Sequence, residues 1–162
     1  MGDTVDEIIQ RWRRERPDLD PAPLAVTARI ARLAALLERR VDDTLADHGL
    51  ASWEFEVLAS LRRSGSPFVL TVGRLQAAMM ISSGTMAHRL DRLEKRGLVA
   101  RAKDLADRRG TQVQLTIEGR SLIDRVVEAR LDCERELLSG LPEERRTHLV
   151  ALLRDLLTAL ER

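Results

Sequence analysis

A short alternating run interrupts a chain whose apolar residues otherwise recur at helical spacing, and it limits the folds available. Thr111-Gln112-Val113-Gln114-Leu115 alternates polar and apolar side chains, which predicts a half-buried strand, and Gly110 permits a tight turn before it. Leu98-Val99-Ala100-Arg101-Ala102 can pair with it. The two make a hairpin with Arg108 and Arg109 near its tip. A solvated surface hairpin is the plain alternative, and the segments upstream bear on the choice.

Residues 3–15 place Val5, Ile8, Ile9 and Trp12 on one face of an amphipathic helix. Pro17 ends it; Asp20 is a candidate N-cap, and Pro21 suits the first turn of the next helix. That helix, 21–48, carries two apolar stripes: Leu24, Ala28, Ala31, Ala35 and Leu45, and Val26, Ile30, Leu33 and Leu37. Two stripes imply two partners, its own domain and another subunit. Gly49 terminates it. Further helices are expected over 52–63, 71–79, 82–96 (with Gly97 as its cap), 117–139 and 142–161, and Phe68-Val69-Leu70 can add a short third strand. The last helix has a continuous stripe of Leu149, Leu152, Leu153, Leu156, Leu157 and Leu160. The expected class is mainly α (α+β).

Composition narrows the class further. Only Trp12, Trp53, Phe55 and Phe68 are aromatic, so the core is built from aliphatic residues and Met. The lone Cys133 excludes an intrachain disulfide and fits a reducing compartment. No apolar run approaches the roughly 20 residues of a membrane span. The start "MGDTVDEIIQ" is acidic, unlike a signal peptide, so a cytoplasmic protein is expected.

A formal charge of +1 conceals a division. From Val57 to Leu90 there is no acidic residue, and Val57 to Arg109 holds 11 Lys/Arg against 4 Asp/Glu. One basic third in a nearly neutral chain is a candidate face for a polyanion.

A short helix, a tight connection, a second helix and a hairpin make the winged helix-turn-helix arrangement. Its second helix must bury one face, here Met86, Leu90 and Leu93. Its N-terminal half presents Ser82, Ser83, Gly84, Thr85 and His88. Small residues let a helix sit deep in the major groove, hydroxyls and an imidazole reach base edges or backbone oxygens, and N-terminal amides favour phosphate. Arg92 on the same helix joins the candidate contacts to double-stranded DNA.

The segment "LTVGRLQAAMMISSGTMAHRLDRLEKRGLVARAKDLADRRGTQVQLTIEGR" resembles the DNA-binding lobe of the multiple-antibiotic-resistance-regulator (MarR) family of bacterial transcription factors. "LDRLEKRGLV", "DRRG" and "LTIEG" are its most specific pieces. The resemblance implies a homodimer, commonly a repressor, that reads a pseudo-palindromic operator through two winged helices. It also implies a dimerisation helix (19–50), a DNA-binding lobe (51–116) and C-terminal dimerisation helices (117–162), preceded by an extra N-terminal helix and linker (1–18) that resembles the arm of one subgroup. Arg109 is then expected to insert into the minor groove and Arg108 to meet phosphate or groove wall, with Asp107 steering the arginines.

"RWRRERPDLDP" is similar to the arm of that family's urate-responsive subgroup. Matching motif positions implies a ligand signature of Trp12, Glu56 (in "WEFEVL"), Arg89 (in "AHRLDRL") and Arg101 (in "LVARAKD"). The subgroup commonly has Asp where this chain has Glu56. An indole offers a π-face and one N–H to a planar ligand, and two arginines can fork-bind an anion. The implied effector is urate, xanthine or another small organic anion, with no cofactor. Ligand taking Arg89 would re-aim the recognition helix and lower DNA affinity.

Other chemistries find little support. A redox-sensing regulator acting through Cys133 is the weaker alternative, because a cysteine in mid-helix usually serves core packing. His48, His88, His148 and Cys133 show no metal-ligand spacing. No P-loop, glycine fingerprint or nucleophile motif points to an enzyme. The rival from another class is a helical dimeric interaction module whose basic face meets an acidic protein.

Overall fold

The computed structural model describes residues 2–103 and 110–162. Asp107, Arg108 and Arg109, expected at the wing, lie outside the described residues. The chain divides into two compact units, one up to Val41 and one from Asp42 onward.

In the first unit, α1 (Thr4–Glu15) starts on a reciprocal cap. The Asp3 carboxylate accepts the Val5 and Asp6 amides at 2.9 and 3.1 Å, while the Asp6 carboxylate accepts the Asp3 amide at 3.0 Å. These bonds occupy donors that the first turn leaves without helical partners. The helix stops ahead of Pro17, as the restriction on residues before proline requires. Arg29 then ties α1 to α2 (Leu24–Asp47), donating to Asp3 at 2.8 and 3.0 Å and to Asp6 at 2.6 Å. Helix α2 begins three residues later than expected. Pro21 and Pro23 have no N–H, so the entry closes through tight bonds from Leu24 to Pro21 and from Ala25 to Ala22, at 3.0 Å each. Asp20 accepts the Ala22 amide at 3.0 Å within that turn.

The second unit carries α3 (Ser52–Arg63), β1 (Val69–Thr71), α4 (Val72–Met79), α5 (Ser83–Lys95), β2 (Val99–Lys103), β3 (Thr111–Leu115), α6 (Ile117–Leu137) and α7 (Glu143–Leu160). The period-two run forms the middle strand of an antiparallel sheet ordered β1-β3-β2. Val113 pairs with Leu70 on one side and Arg101 on the other. Alternation follows the pleat, with Val113 and Leu115 buried and Gln114 exposed. The third strand sits one residue later than the sequence suggests, at Val69–Thr71. The aliphatic core is Val57, Leu58 and Leu61 of α3, Leu75 of α4, Met86, Leu90 and Leu93 of α5, Val99 and Val113 of the hairpin, and Ile123 and Val126 of α6.

The "LTIEG" motif has a local physical reason. Thr116 Oγ accepts the Gly119 amide at 2.9 Å, capping α6, and donates to the Gly97 carbonyl at 2.7 Å. At Gly119 an added Cβ would lie 2.0 Å from the Leu98 carbonyl oxygen, so only glycine lets α6 pass that close to the hairpin's first strand.

Each unit carries an apolar helix face that is exposed among the described residues. No residue of α7 is buried, and its stripe from Leu149 to Leu160 faces outward. On α2, Val26, Ile30, Leu33 and Leu37 are likewise exposed. Among the described residues no helix is long and apolar enough to cross a membrane.

Candidate nucleic-acid interface

Helices α4 and α5 meet at a sharp turn. Met80 takes a left-handed backbone (φ 50°) that stops α4, its amide bonding the Gln76 carbonyl, and its side chain is almost wholly exposed. Ser82 then caps α5, accepting the Thr85 amide at 3.3 Å, with the two hydroxyl oxygens 2.9 Å apart. Met86, Leu90 and Leu93 bury one side of α5 and fix its roll. Ser82, Ser83, Gly84, Thr85, His88 and Arg92 are consequently exposed together on the N-terminal and outer part of the helix. This gathers the sequence-selected helix contacts on one accessible surface.

The C-terminal half of α5 is clamped to the hairpin. Arg101 of β2 reaches back to Asp91 at 2.7 Å and to Glu94 at 2.9 and 2.5 Å, and its amide donates to Glu94 at 3.1 Å. The Glu94 hydrogen bonds raise the Arg101 guanidinium above its ordinary value despite partial burial. In return the Arg101 hydrogen bonds hold the Glu94 carboxyl below its ordinary value of 4.5. The wing base and the reading helix are thereby connected by a forked ion pair.

Three residues absent from the sequence-based selection, Glu54, Arg96 and Trp53, complete the lobe. Glu54 is a carboxylate buried to 3 % exposure, bonded to Arg96 at 2.8 Å and to the Ala51 amide at 3.0 Å. Arg96 continues to the Gly49 carbonyl at 3.0 Å, linking the end of α5 to the entry of α3. Trp53 carries two guanidinium groups near its ring, Arg92 at 5.0 Å and Arg89 at 5.4 Å. Both partnerships join segments far apart in the chain, and no local spacing signals them.

The residues of the implied ligand signature fall in different surroundings. Trp12 is about half exposed and lines a hollow of about 290 Å³ with Leu19, Asp20, Pro21, Pro23 and Leu24. Glu56 lines a cleft of about 750 Å³ between α3 and α6, whose walls include Phe55, Arg62, Asp124 and Arg130. Its ion-pair partner is Arg130 at 3.7 Å, and Arg130 also stacks over Phe55 and bonds Glu134 at 2.9 Å. Arg89 lies over Trp53, and Arg101 is engaged by Asp91 and Glu94. Among the described residues no hydrogen bond or ion pair joins Glu56, Arg89 and Arg101 to one another.

A capped second helix, a tight turn and a hairpin within a three-stranded sheet define a winged helix-turn-helix protein. The MarR family model matches residues 50–111. The chain is 44 % identical to the HTH-type transcriptional regulator PecS of Dickeya dadantii (strain 3937), over 92 % of this chain and 90 % of PecS. Its fold is similar to that of a mutant MarR from E. coli solved with operator DNA. There the TM-score is 0.70 and the identity 25 %, covering 96 % of this chain and 99 % of that one. It is also similar to BpsR of Bordetella bronchiseptica, whose DNA binding is regulated by 6-hydroxynicotinic acid. That match has a TM-score of 0.67 and 29 % identity, covering 81 % of this chain and 91 % of that one. The chain belongs to the MarR family. It is a transcriptional regulator by kinship and not an enzyme.

Proposed function

We infer that the protein is a ligand-responsive repressor that binds a pseudo-palindromic operator as a homodimer in the cytoplasm. The observation that carries this reading is the surface of α5. Its capped, small-residue N-terminal half is exposed while Met86, Leu90 and Leu93 anchor the opposite face. Ser82, Ser83, Gly84, Thr85 and His88 meet the major groove and Arg92 joins them as a DNA contact, while Arg109 inserts into the minor groove and Arg108 meets phosphate or groove wall. The uncovered stripes of α2 and α7 supply the dimer contact, because apolar helix faces of that length are normally covered in a stable assembly.

The effector is a small organic anion or purine such as urate or xanthine, and the response depends on Trp12, Glu56, Arg89 and Arg101. Arg89 has no carboxylate partner among the described residues, which leaves its donors available to an anion. An anion at Arg101 competes with Asp91 and Glu94, so binding there would loosen the wing from α5. A coupling of ~1–3 kcal/mol, about 5- to 150-fold in affinity, suffices for a switch.

The test is a mobility shift on the DNA upstream of the protein's own gene, repeated with urate, xanthine and related anions. Release by one ligand, lost in Trp12→Ala or Arg89→Ala, is the expected result. Equal binding to promoter and random DNA at physiological salt would rule out specific regulation. An unchanged ligand affinity with and without operator would rule out the switch, because coupling is reciprocal.

A further inference from the structure

Arg89 and Arg92 differ from Arg62, Arg96 and Arg101 of the same lobe, each of which is paired with a carboxylate. Arg62 is bonded to Asp124 at 2.6 Å, Arg96 to Glu54, and Arg101 to Asp91 and Glu94. Among the described residues Arg89 and Arg92 meet no carboxylate; each lies over the Trp53 indole instead. They sit three residues apart on one face of α5. The α5 carboxylates that could neutralise them, Asp91 and Glu94, are both engaged by Arg101. Among the described residues two cations therefore remain without a carboxylate partner on the helix that carries the exposed Ser82–His88 surface.

An indole suits this arrangement. A guanidinium resting on a π-face is held without spending its N–H donors, which lie in its own plane and stay free for an anion. A carboxylate partner would hold the side chain equally well but would occupy those donors and cancel the charge. Trp53 is half-buried at the start of α3, a different helix from the arginines, so the indole sets their direction from outside α5.

We propose that Trp53 is a positioning residue for DNA binding: its indole holds Arg89 and Arg92 extended with free donors, so that both neutralise duplex phosphates. This rests on the DNA-binding reading and adds to it the residue that aims the arginines at phosphate. An effector that draws Arg89 off the indole would leave one of those phosphates without its cation.

The test is the salt dependence of operator affinity for the full chain, measured by fluorescence anisotropy between about 50 and 200 mM salt. Each phosphate that the protein no longer neutralises lowers the slope of log K against log salt by about 0.9, so losing both arginine contacts in each protomer of a dimer lowers it by roughly 3.6. Trp53→Ala is expected to show that fall, with affinity about 10-fold or more weaker at low salt. Trp53→Phe, which keeps a ring, is expected to retain most of the wild-type slope. Trp53→Leu fills space without a π-face; it is expected to behave as the Ala variant and keeps the proposal testable if that variant does not fold.

In a background lacking both guanidinium groups (Arg89→Ala with Arg92→Ala), removing Trp53 is expected to change nothing further. A folded Trp53→Leu variant with the wild-type slope would overturn the proposal, as would an equal further loss in the double-alanine background. A wild-type chain showing no preference for any operator would instead overturn the DNA-binding reading itself, and the proposal with it.

Discussion

The Glu54 carboxylate, almost wholly buried in α3, lies 2.8 Å from the Arg96 guanidinium that closes α5. Its second oxygen has no hydrogen-bond partner among the described residues, so its charge relies on Arg96 and the Ala51 amide. Removing Arg96 would strand a buried carboxylate, whereas neutralising Glu54 would leave a half-exposed guanidinium that water can reach. Arg96→Ala is therefore expected to destabilise the fold by about 2–4 kcal/mol and Glu54→Gln by roughly 1 kcal/mol. Urea denaturation checks the order; a costlier Glu54→Gln would contradict it.

Gly119→Ala should be costly for a different reason. The added methyl meets the Leu98 carbonyl oxygen, a backbone atom that already accepts the Thr116 amide at 3.2 Å and cannot step aside alone. Displacing α6 from the hairpin is expected to cost about 2–4 kcal/mol, read from the same denaturation curves. An unchanged midpoint would mean that α6 has more room than the backbone approach implies.

The wing clamp should respond to acid in one direction only. Glu94 titrates below 4.5 in the folded chain, so the stability that its pair with Arg101 contributes is complete above that value and disappears as pH falls through the lower, folded-state value. Arg101 stays charged throughout this range. The difference in thermal midpoint between wild type and Glu94→Gln should be constant from about pH 6 to 8 and should shrink toward zero in acid below the carboxylate range. A difference that grows in acid would reverse the assignment.

Substitutions on the reading helix and on the wing should separate in their effects on sequence preference. Ser83→Ala and His88→Ala are expected to relax discrimination at particular operator positions, by about 1–3 kcal/mol where the side chain reads a base edge. Arg109→Ala should weaken operator and random DNA to similar degrees. Competition binding with single-base operator variants distinguishes the two patterns.

Because Leu153 and Leu156 are exposed among the described residues, replacing them by Glu is expected to leave the lobe folded while breaking the proposed dimer. Sedimentation velocity should show a monomer with an intact helical circular dichroism spectrum. A dimer that persists would move the subunit contact away from α7.

Element order and chain reversals were legible in the residues themselves. Helical spacing marked α1 to α7, and the alternation from Thr111 to Leu115 marked the middle strand. The delayed start of α2 lay beyond that reading, because the proline pair reshapes its first turn. All of these features arise from neighbours within a few positions, so periodicity and capping chemistry suffice to find them. The pairings were decided elsewhere. Glu56 meets Arg130, Arg101 folds back on Asp91 and Glu94, Arg96 finds Glu54, and Trp53 underlies Arg89 and Arg92. A charged side chain takes whichever partner the crossing of its elements brings within about 4 Å. Leu58 and Leu61 of α3 and Leu90 and Leu93 of α5 are all buried, so the way the assembled core brings these helices together determines which arginines remain free to meet an anion.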